Sequence, residues 1–351
     1  MTHVESEREP KPGGRSRSGY GLWFLGAAVS VFLLAWLLGR IRIADLINIW
    51  RRAHWQILLV LPVLQVFSFL ARAQRLRVLT DRRSPVVVYL SACSVGNLLN
   101  MLLPARVGDL GRCFLLRRRT STPLAGHLAC LVLDRVYDLV AFCLLGAGSF
   151  ALLLPVLSDK LRRLSAMGAL AAVLAAALGI LIVAIRYPTR WLRRIRVRVG
   201  RTGWRRTLRT LDSFASSQSR EQKWSALGEA SFWTVVALGI DLIGVSLVTH
   251  AVLGKLPLPF LSLLTSALAL GMAVPGTPGG LGIHQATSVL ILGPAGISAS
   301  EAVGFSLLSD ALLIAIVAAM GAVFLAYEGL SLGDAARLSK TGPGDLTTGV
   351  G

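Results

Sequence analysis

Charge is sparse in the apolar stretches of this chain, and where it falls it clusters. Arg106, Asp109 and Arg112 stand three apart, so a helix beginning near Gly108 gathers them on one side. Asp134 and Asp138 are four apart and share a helix face, while Arg135 points about 100° away. Charge at membrane depth is costly, so these residues are expected to pair and to face the protein interior. Asp134 or Asp138 with Arg106 or Arg112 is the natural pairing. It has two readings. The ion pairs hold one segment to the next, or surplus arginine binds a lipid phosphate through free donors of the guanidinium fork while the carboxylates position it. A third cluster is neutral: Gly279, Gly280 and Gly282, followed by His284 and Gln285. Glycine amides opening a helix present unpaired N–H groups and a positive dipole end, which suits an anion. The plainer alternative is that the glycines let a hairpin pack closely. No Lys-Ser/Thr follows them as in a phosphate loop, and His284 has no second His or Cys at ligand spacing, so neither metal nor cofactor is expected. Asp241 and Asp310 fall inside apolar segments, as proton carriers or as helix–helix hydrogen-bond partners. The candidate substrate-binding set is therefore Arg106, Asp109, Arg112, Asp134, Arg135, Asp138, Gly279, Gly280, Gly282 and His284.

The first and third clusters lie on a repeated skeleton. Met101 to Gly111 and Met272 to Gly282 both read Met-x-x-Pro-x-x-x-Gly-x-Leu-Gly, each position 171 residues from its partner, as Met272 is from Met101. Helix breakers inside apolar segments are tolerated where the freed backbone is buried in protein or lines a wet cavity. Paired breaks in corresponding halves are the sequence mark of a transport site between inverted repeats.

The chain around them is a membrane protein. Of its 351 residues 54% are hydrophobic, the mean hydropathy is +0.64, and several stretches reach the roughly 20 apolar residues that span a bilayer. Spans are expected over Tyr20–Gly39, Trp55–Ala71, Leu124–Leu154, Leu164–Ile185, Ala226–Thr249 and Glu301–Tyr327. Broken segments run over Val86–Leu103 and Phe260–Val274, the second continuing into Ile283–Leu292. A surface helix over Ile43–Trp50 accounts for the arginines that surround it. Residues 1–19 and 328–351 are polar and expected to be disordered tails on either side of a 20–327 transmembrane domain. The net charge of +19 sits in loops. Arg72, Arg75, Arg77, Arg82 and Arg83 mark a cytoplasmic end of the second span, and 186–224 forms a basic cytoplasmic loop set on anionic headgroups. Nothing in this distribution suggests nucleic acid. The four cysteines show no paired spacing and are read as packing residues.

Arg117–Arg119 decide between two topologies. If the first broken segment turns back, they remain with the preceding basic loop; if it crosses, they lie on the other side. The expected architecture is therefore all-α, with about six transmembrane helices plus two re-entrant hairpins in two inverted repeats and both termini cytoplasmic. Eight full transmembrane segments is the alternative. The two turns are expected to face one another from opposite leaflets.

Leu103-Pro104-Ala105-Arg106-Val107-Gly108-Asp109-Leu110-Gly111-Arg112, Leu133-Asp134-Arg135-Val136-Tyr137-Asp138 and Pro275-Gly276-Thr277-Pro278-Gly279-Gly280-Leu281-Gly282 resemble the three signatures of the lysylphosphatidylglycerol synthase transmembrane-region family, also called flippase-like domain proteins. The likeness covers roughly Gly21–Tyr327, with Asp134 standing where the family more often has Glu. It implies a bacterial inner-membrane protein that moves a phosphate-bearing lipid, phospholipid or polyprenyl-phosphate, between leaflets. In two-domain relatives a cytosolic aminoacyl-transferase follows the membrane region; nothing of that size follows Tyr327, so synthase activity is not implied. Two rivals stand beside the translocator. One is an intramembrane enzyme acting on a lipid or polyprenyl phosphate. The other is a membrane partner of a separate cytosolic glycosyl- or aminoacyl-transferase.

Overall fold

A computed structural model describes residues 43–80, 82–102, 107–153, 220–272 and 280–331, together with Gly39 and Gly333. The expected spans Tyr20–Gly39 and Leu164–Ile185, the basic segment as far as residue 219 and both tails lie outside these residues or almost wholly so. So do Arg106, Gly279 and the prolines of both breaks. Everything described is helix or short connection, with no strand among the described residues.

Nine helices carry the described chain. A surface helix α1 (Ile43–Arg52) and the single turn Trp55–Leu58 lead into α2 (Leu61–Thr80). Then come α3 (Val86–Leu102), α4 (Gly108–Arg119) and α5 (Leu124–Leu153). The second half holds α6 (Arg220–Leu253), α7 (Leu258–Gly271), α8 (Ile283–Leu292) and α9 (Ala299–Glu328). Four stretches are long and apolar enough to cross a membrane: Trp55–Thr80, Gly126–Leu153, Ser225–Leu253 and Ala299–Glu328. Their outward faces carry Val63, Phe67, Leu144, Phe232, Val235 and Val323, all exposed. Large apolar side chains facing outward along every span are what a lipid solvent requires. The protein is an all-helical, multi-pass membrane protein.

The four shorter helices pack as two pairs, α3 with α4 and α7 with α8. At 1.5 Å per residue α7 and α8 are roughly 21 and 15 Å long and α4 is about 18 Å, short of the ~30 Å hydrocarbon core. Contacts fix which way each hairpin opens. Glu328, closing α9, accepts from Ser91 near the start of α3 at 2.7 Å and from Arg119, the last residue of α4, at 2.9 Å. Both feet of the first hairpin therefore stand at the end of the bundle where α9 finishes. The Cys130 thiol in the early turns of α5 donates to the Leu79 carbonyl at the end of α2, 3.1 Å, placing those termini there too. The second hairpin opens at the other end. Ser262 near the start of α7 accepts from Ser149 near the end of α5 at 2.7 Å. Beyond α8 the chain passes directly into α9, where Trp50 of α1 donates to the Gly304 carbonyl at 2.9 Å. The two hairpins thus enter from opposite ends, the arrangement of an inverted repeat.

Lipid tails are as apolar as leucine, so helices here are held by close approach and polar contacts rather than by exclusion of water. A Cβ on Gly321 of α9 would lie 2.6 Å from the Leu98 Cβ of α3, and one on Gly304 would lie 3.0 Å from Ile49. The first hairpin closes the same way: a Cβ on Gly108 would run into the Gly96 carbonyl oxygen and come within 2.7 Å of the Asn100 amide nitrogen. The four cysteines are buried and form no disulfide among the described residues.

One expectation fails in an instructive way. Helix α2 does not end at Ala71; it continues to Thr80, because no breaker occurs before Ser84-Pro85. Arg72 and Arg75 therefore lie within the helix rather than in a cytoplasmic loop, and Arg75 exposes only 1% of its surface. Of the five arginines read as a topology mark, Arg77 closes the following turn through the Ser84 carbonyl at 2.9 Å, and Arg82 pairs with Glu229.

Candidate functional site

Four helices bring charge to one place. Ser68, Arg72 and Arg75 follow one face of α2 at helical spacing, Asp134 and Asp138 one face of α5, and Thr234 and Asp241, seven apart, one face of α6. Helix α4 adds Arg112. Arg75 sits at the centre. Its Nε donates to Asp134 Oδ1 at 2.8 Å, and its Nη1 donates to Asp138 Oδ1 at 2.7 Å and to the Thr234 hydroxyl at 3.2 Å. Arg112 Nη1 reaches the other Asp134 oxygen at 3.3 Å. Arg72 donates to Asp138 at 3.0 Å and to Asp241, which also accepts from the Ser68 hydroxyl at 2.7 Å.

The expected pairing of Asp134 with Arg112 is present, and the expected sharing of a face by Asp134 and Asp138 is what lets one guanidinium bridge both. Among the described residues Asp138 is paired with Arg72 and Arg75. Arg135 points away from that face, as its spacing requires, and finds Asp109 at 2.5 Å, where Asn100 also donates at 3.1 Å. Among the described residues the cluster is balanced: Arg72, Arg75, Arg112 and Arg135 against Asp109, Asp134, Asp138 and Asp241. The expected arginine surplus turns on Arg106, which lies outside the described residues. Nε of Arg112 is buried and has no hydrogen-bond partner.

The second break has its own polar centre. Gly280 and Gly282 adopt φ of +73° and +91°, a region that side chains with a Cβ rarely enter, and Gly282 caps α8. Its N–H does not stand free for an anion: it donates to Gln285 Oε1 at 2.5 Å. The same glutamine donates through Nε2 to Asp310 of α9 at 2.7 Å, and His284 Nδ1 lies 2.7 Å from the other Asp310 oxygen. All three side chains are buried, Gln285 completely. Asp241 and Asp310 are thus both helix–helix partners, the first to α2 and the second to α8.

A cavity of about 520 Å³ joins the two centres. Arg72, Arg135, Asp138 and Asp241 line one part of it and His284 and Asp310 another, with Phe142, Val245, Leu268 and Ile316 also in the wall. That size lies within the roughly 300–1,000 Å³ of small-molecule sites. Arg75, Arg112 and Asp134 are not in the lining; Arg112 holds Asp134, which holds Arg75, which in turn holds Asp138 of the wall.

Sequence reasoning missed Arg72, Arg75, Ser68, Thr234 and Asn100. The spacing of Ser68, Arg72 and Arg75 at i, i+4 and i+7 was the signal available, and it was masked by the arginines that continue to Arg83. Among the described residues no group of His, Cys, Asp and Glu is arranged to hold a metal ion.

A family model described as the lysylphosphatidylglycerol synthase TM region matches residues 23–321, which takes in every helix described above except the last turns of α9. No curated protein and no solved structure gives a significant match.

Proposed function

We propose, for a chain that belongs to the lysylphosphatidylglycerol synthase TM region family and so to membrane domains concerned with lipid, that it moves a phosphate-bearing lipid between leaflets. The observation that carries the reading is the cavity enclosed by α2, α5, α6, α9 and the second hairpin, with Arg72, Arg135, Asp138 and Asp241 in one part of its wall and His284 and Asp310 in another. A headgroup enters it with the phosphate against Arg72 and Arg135, whose guanidinium forks retain donors beyond those given to carboxylates. Acyl chains stay outside, since a volume of about 520 Å³ takes a headgroup and not a whole lipid. Asp138 and Asp241 hold Arg72, Asp109 holds Arg135, and these carboxylates limit how tightly an anion is kept, which release requires. The bacterial inner membrane, with both termini in the cytoplasm, is the setting that goes with this reading, and the lipid is a phospholipid or polyprenyl phosphate.

The test is movement of a lipid with a fluorescent headgroup across the bilayer of proteoliposomes. The charge-balanced double variant Arg72→Gln/Asp241→Asn removes the arginine without stranding its partner. A translocation rate at least tenfold below wild type, with thermal stability kept, is expected; an unchanged rate overturns the assignment.

A second reading has one observation in its favour. His284 stands in the cavity wall with Nδ1 2.7 Å from an Asp310 oxygen, a neighbour from which a general base could be oriented. An enzyme acting on the lipid would change its mass, which mass spectrometry of lipid recovered from the same proteoliposomes would detect and transport alone would not produce.

A further inference from the structure

The two hairpins carry matching cross-links. Counting from Gly108 and Leu124, Asp109 is the second residue of α4 and Arg135 the twelfth of α5, and the two are paired. Counting from Ile283 and Ala299, His284 is the second residue of α8 and Asp310 the twelfth of α9, and these are paired as well. In each repeat the returning helix of the hairpin is tied by its first turn to the long helix that follows. The chemistry differs. Arginine is charged at every physiological pH, whereas imidazole is the side chain whose ordinary titration falls between about pH 5 and 8.

That difference sets the charge of the cavity. Among the described lining residues, Arg72 and Arg135 face Asp138, Asp241 and Asp310, with His284 beside Asp310. With His284 neutral the carboxylates exceed the cations by one; with His284 protonated they balance. The other titrating groups around the pair are placed differently, and His250 of α6 does not line the cavity. Helix α7 has none, and α3 contributes only Tyr89 and Cys93. On α9 Glu301 is held at the N-terminus by Ser298 at 2.7 Å. Across the cavity Arg72, Arg135, Asp138 and Asp241 are already paired with one another or with Asp109. On α1, packed against α9, Asp45, Arg51 and Arg52 are exposed at the outer surface.

We propose that the His284–Asp310 pair is a proton-binding site linked to the lipid site, so that one proton is taken up with each phosphate-bearing headgroup. The proton goes to the His284 imidazole, the pair passes from a net charge of minus one to zero, and the anionic headgroup meets a cavity without surplus negative charge. Headgroup release returns the proton. This rests on the lipid reading above. It gives the translocator a means of using a pH gradient, with Asp109–Arg135 as the pair that does not titrate.

The test is calorimetric binding of dihexanoyl phosphatidylglycerol to the full chain in detergent, from pH 5.5 to 8, in buffers of different ionisation enthalpy. This probe is chosen because its phosphodiester does not itself titrate in that range. Wild type is expected to take up close to one proton per lipid near neutrality, with affinity rising up to about tenfold per pH unit as pH falls. His284→Gln is expected to bind with the alkaline affinity of wild type at every pH and to take up no proton. Should that variant fail to fold, Asp310→Asn is measured; with the surplus carboxylate gone it is expected to bind with close to the acid affinity of wild type at every pH and to take up little or no proton. Wild-type binding without proton uptake overturns the coupling alone. Uptake that persists in the variant places the proton elsewhere, on Asp138, Asp241 or His250, and also overturns it. No lipid binding at any pH removes the lipid reading, and the coupling falls with it.

Discussion

Arg75 and Asp134 lock together through two guanidinium nitrogens, Nε at 2.8 Å and Nη2 at 2.7 Å, and neither exposes more than 5% of its side chain. Since Arg75 also holds Asp138, removing it leaves Asp134 with Arg112 alone at 3.3 Å and Asp138 with Arg72 alone at 3.0 Å. Breaking a buried pair from one side costs about 3–5 kcal/mol, because an uncompensated charge stays behind. Arg75→Leu is therefore expected to unfold in detergent far below wild type, by thermal denaturation. Arg75→Lys should recover little, since one ammonium cannot copy the fork that reaches Asp134, Asp138 and Thr234. The charge-balanced double variant Arg75→Leu/Asp138→Asn should recover more than Arg75→Lys does, because Asp134 keeps Arg112 and Arg72 keeps Asp241.

Gly108 and Gly96 make the tightest approach in the first hairpin. A methyl group at Gly108 has nowhere to go, because the obstacles are the Gly96 carbonyl and the Asn100 backbone nitrogen and side chain. Gly108→Ala is expected to prevent α4 from folding back on α3 and to abolish recovery of monodisperse protein in size-exclusion chromatography. At Gly148 and Gly239 a methyl group would meet no atom within 4 Å, and alanine there should be neutral or stabilising by up to about 1 kcal/mol through helix propensity. Equal tolerance at Gly108 and Gly148 would mean that the hairpin is not closed this way.

Much of this fold could be read from residue order, and the reasons are local. Helix α8 runs over Ile283–Leu292 as expected because Gly282 before it and Gly293 after it bound an apolar run. The surface helix over Ile43–Trp50 exists, two residues longer, because apolar Leu46, Ile49 and Trp50 recur on the face that meets α9 while Arg51 and Arg52 stay exposed. The start of α9 lay in the Ser298-x-x-Glu301 box, in which side chain and backbone bond reciprocally. Arg72 and Arg75 were illegible for a physical reason. A helix that carries arginine inward and a helix that ends in cytoplasmic arginine have the same sequence until the partners are known. Those partners are Asp134, Asp138 and Asp241, which lie 59 to 169 residues away in the chain. The same holds for Asp310, whose two readings separate only once His284 and Gln285 are seen beside it.

Gln285 makes a prediction distinct from that of His284. It is fully buried, it takes the Gly282 N–H with one end of its amide, and it donates to Asp310 with the other. Gln285→Leu keeps the size but leaves a buried N–H and a buried carboxylate oxygen short of a partner, each costing about 1–3 kcal/mol. Thermal unfolding should fall accordingly. Gln285→Glu should be at least as damaging, since it sets a second carboxylate against Asp310. A variant with Glu at this position that matched wild type in stability would contradict the geometry at the second break.

The opposite entry of the two hairpins can be checked from outside the protein. Arg118 stands at the foot of α4 and Arg83 in the connection before α3, while Lys255 precedes α7 and Pro294 follows α8, and all four are exposed. The four native cysteines are buried and contribute little background. Single cysteines at these positions are expected to react with a membrane-impermeant maleimide in two groups. Arg83→Cys and Arg118→Cys should label from one side of sealed vesicles, and Lys255→Cys and Pro294→Cys from the other. Were the first hairpin a full crossing pair in the membrane, Arg118→Cys would leave Arg83→Cys and label with the second group. The pairing of Arg119 and Ser91 with the same carboxylate of Glu328 requires the first result, since one side chain cannot reach both faces of a bilayer.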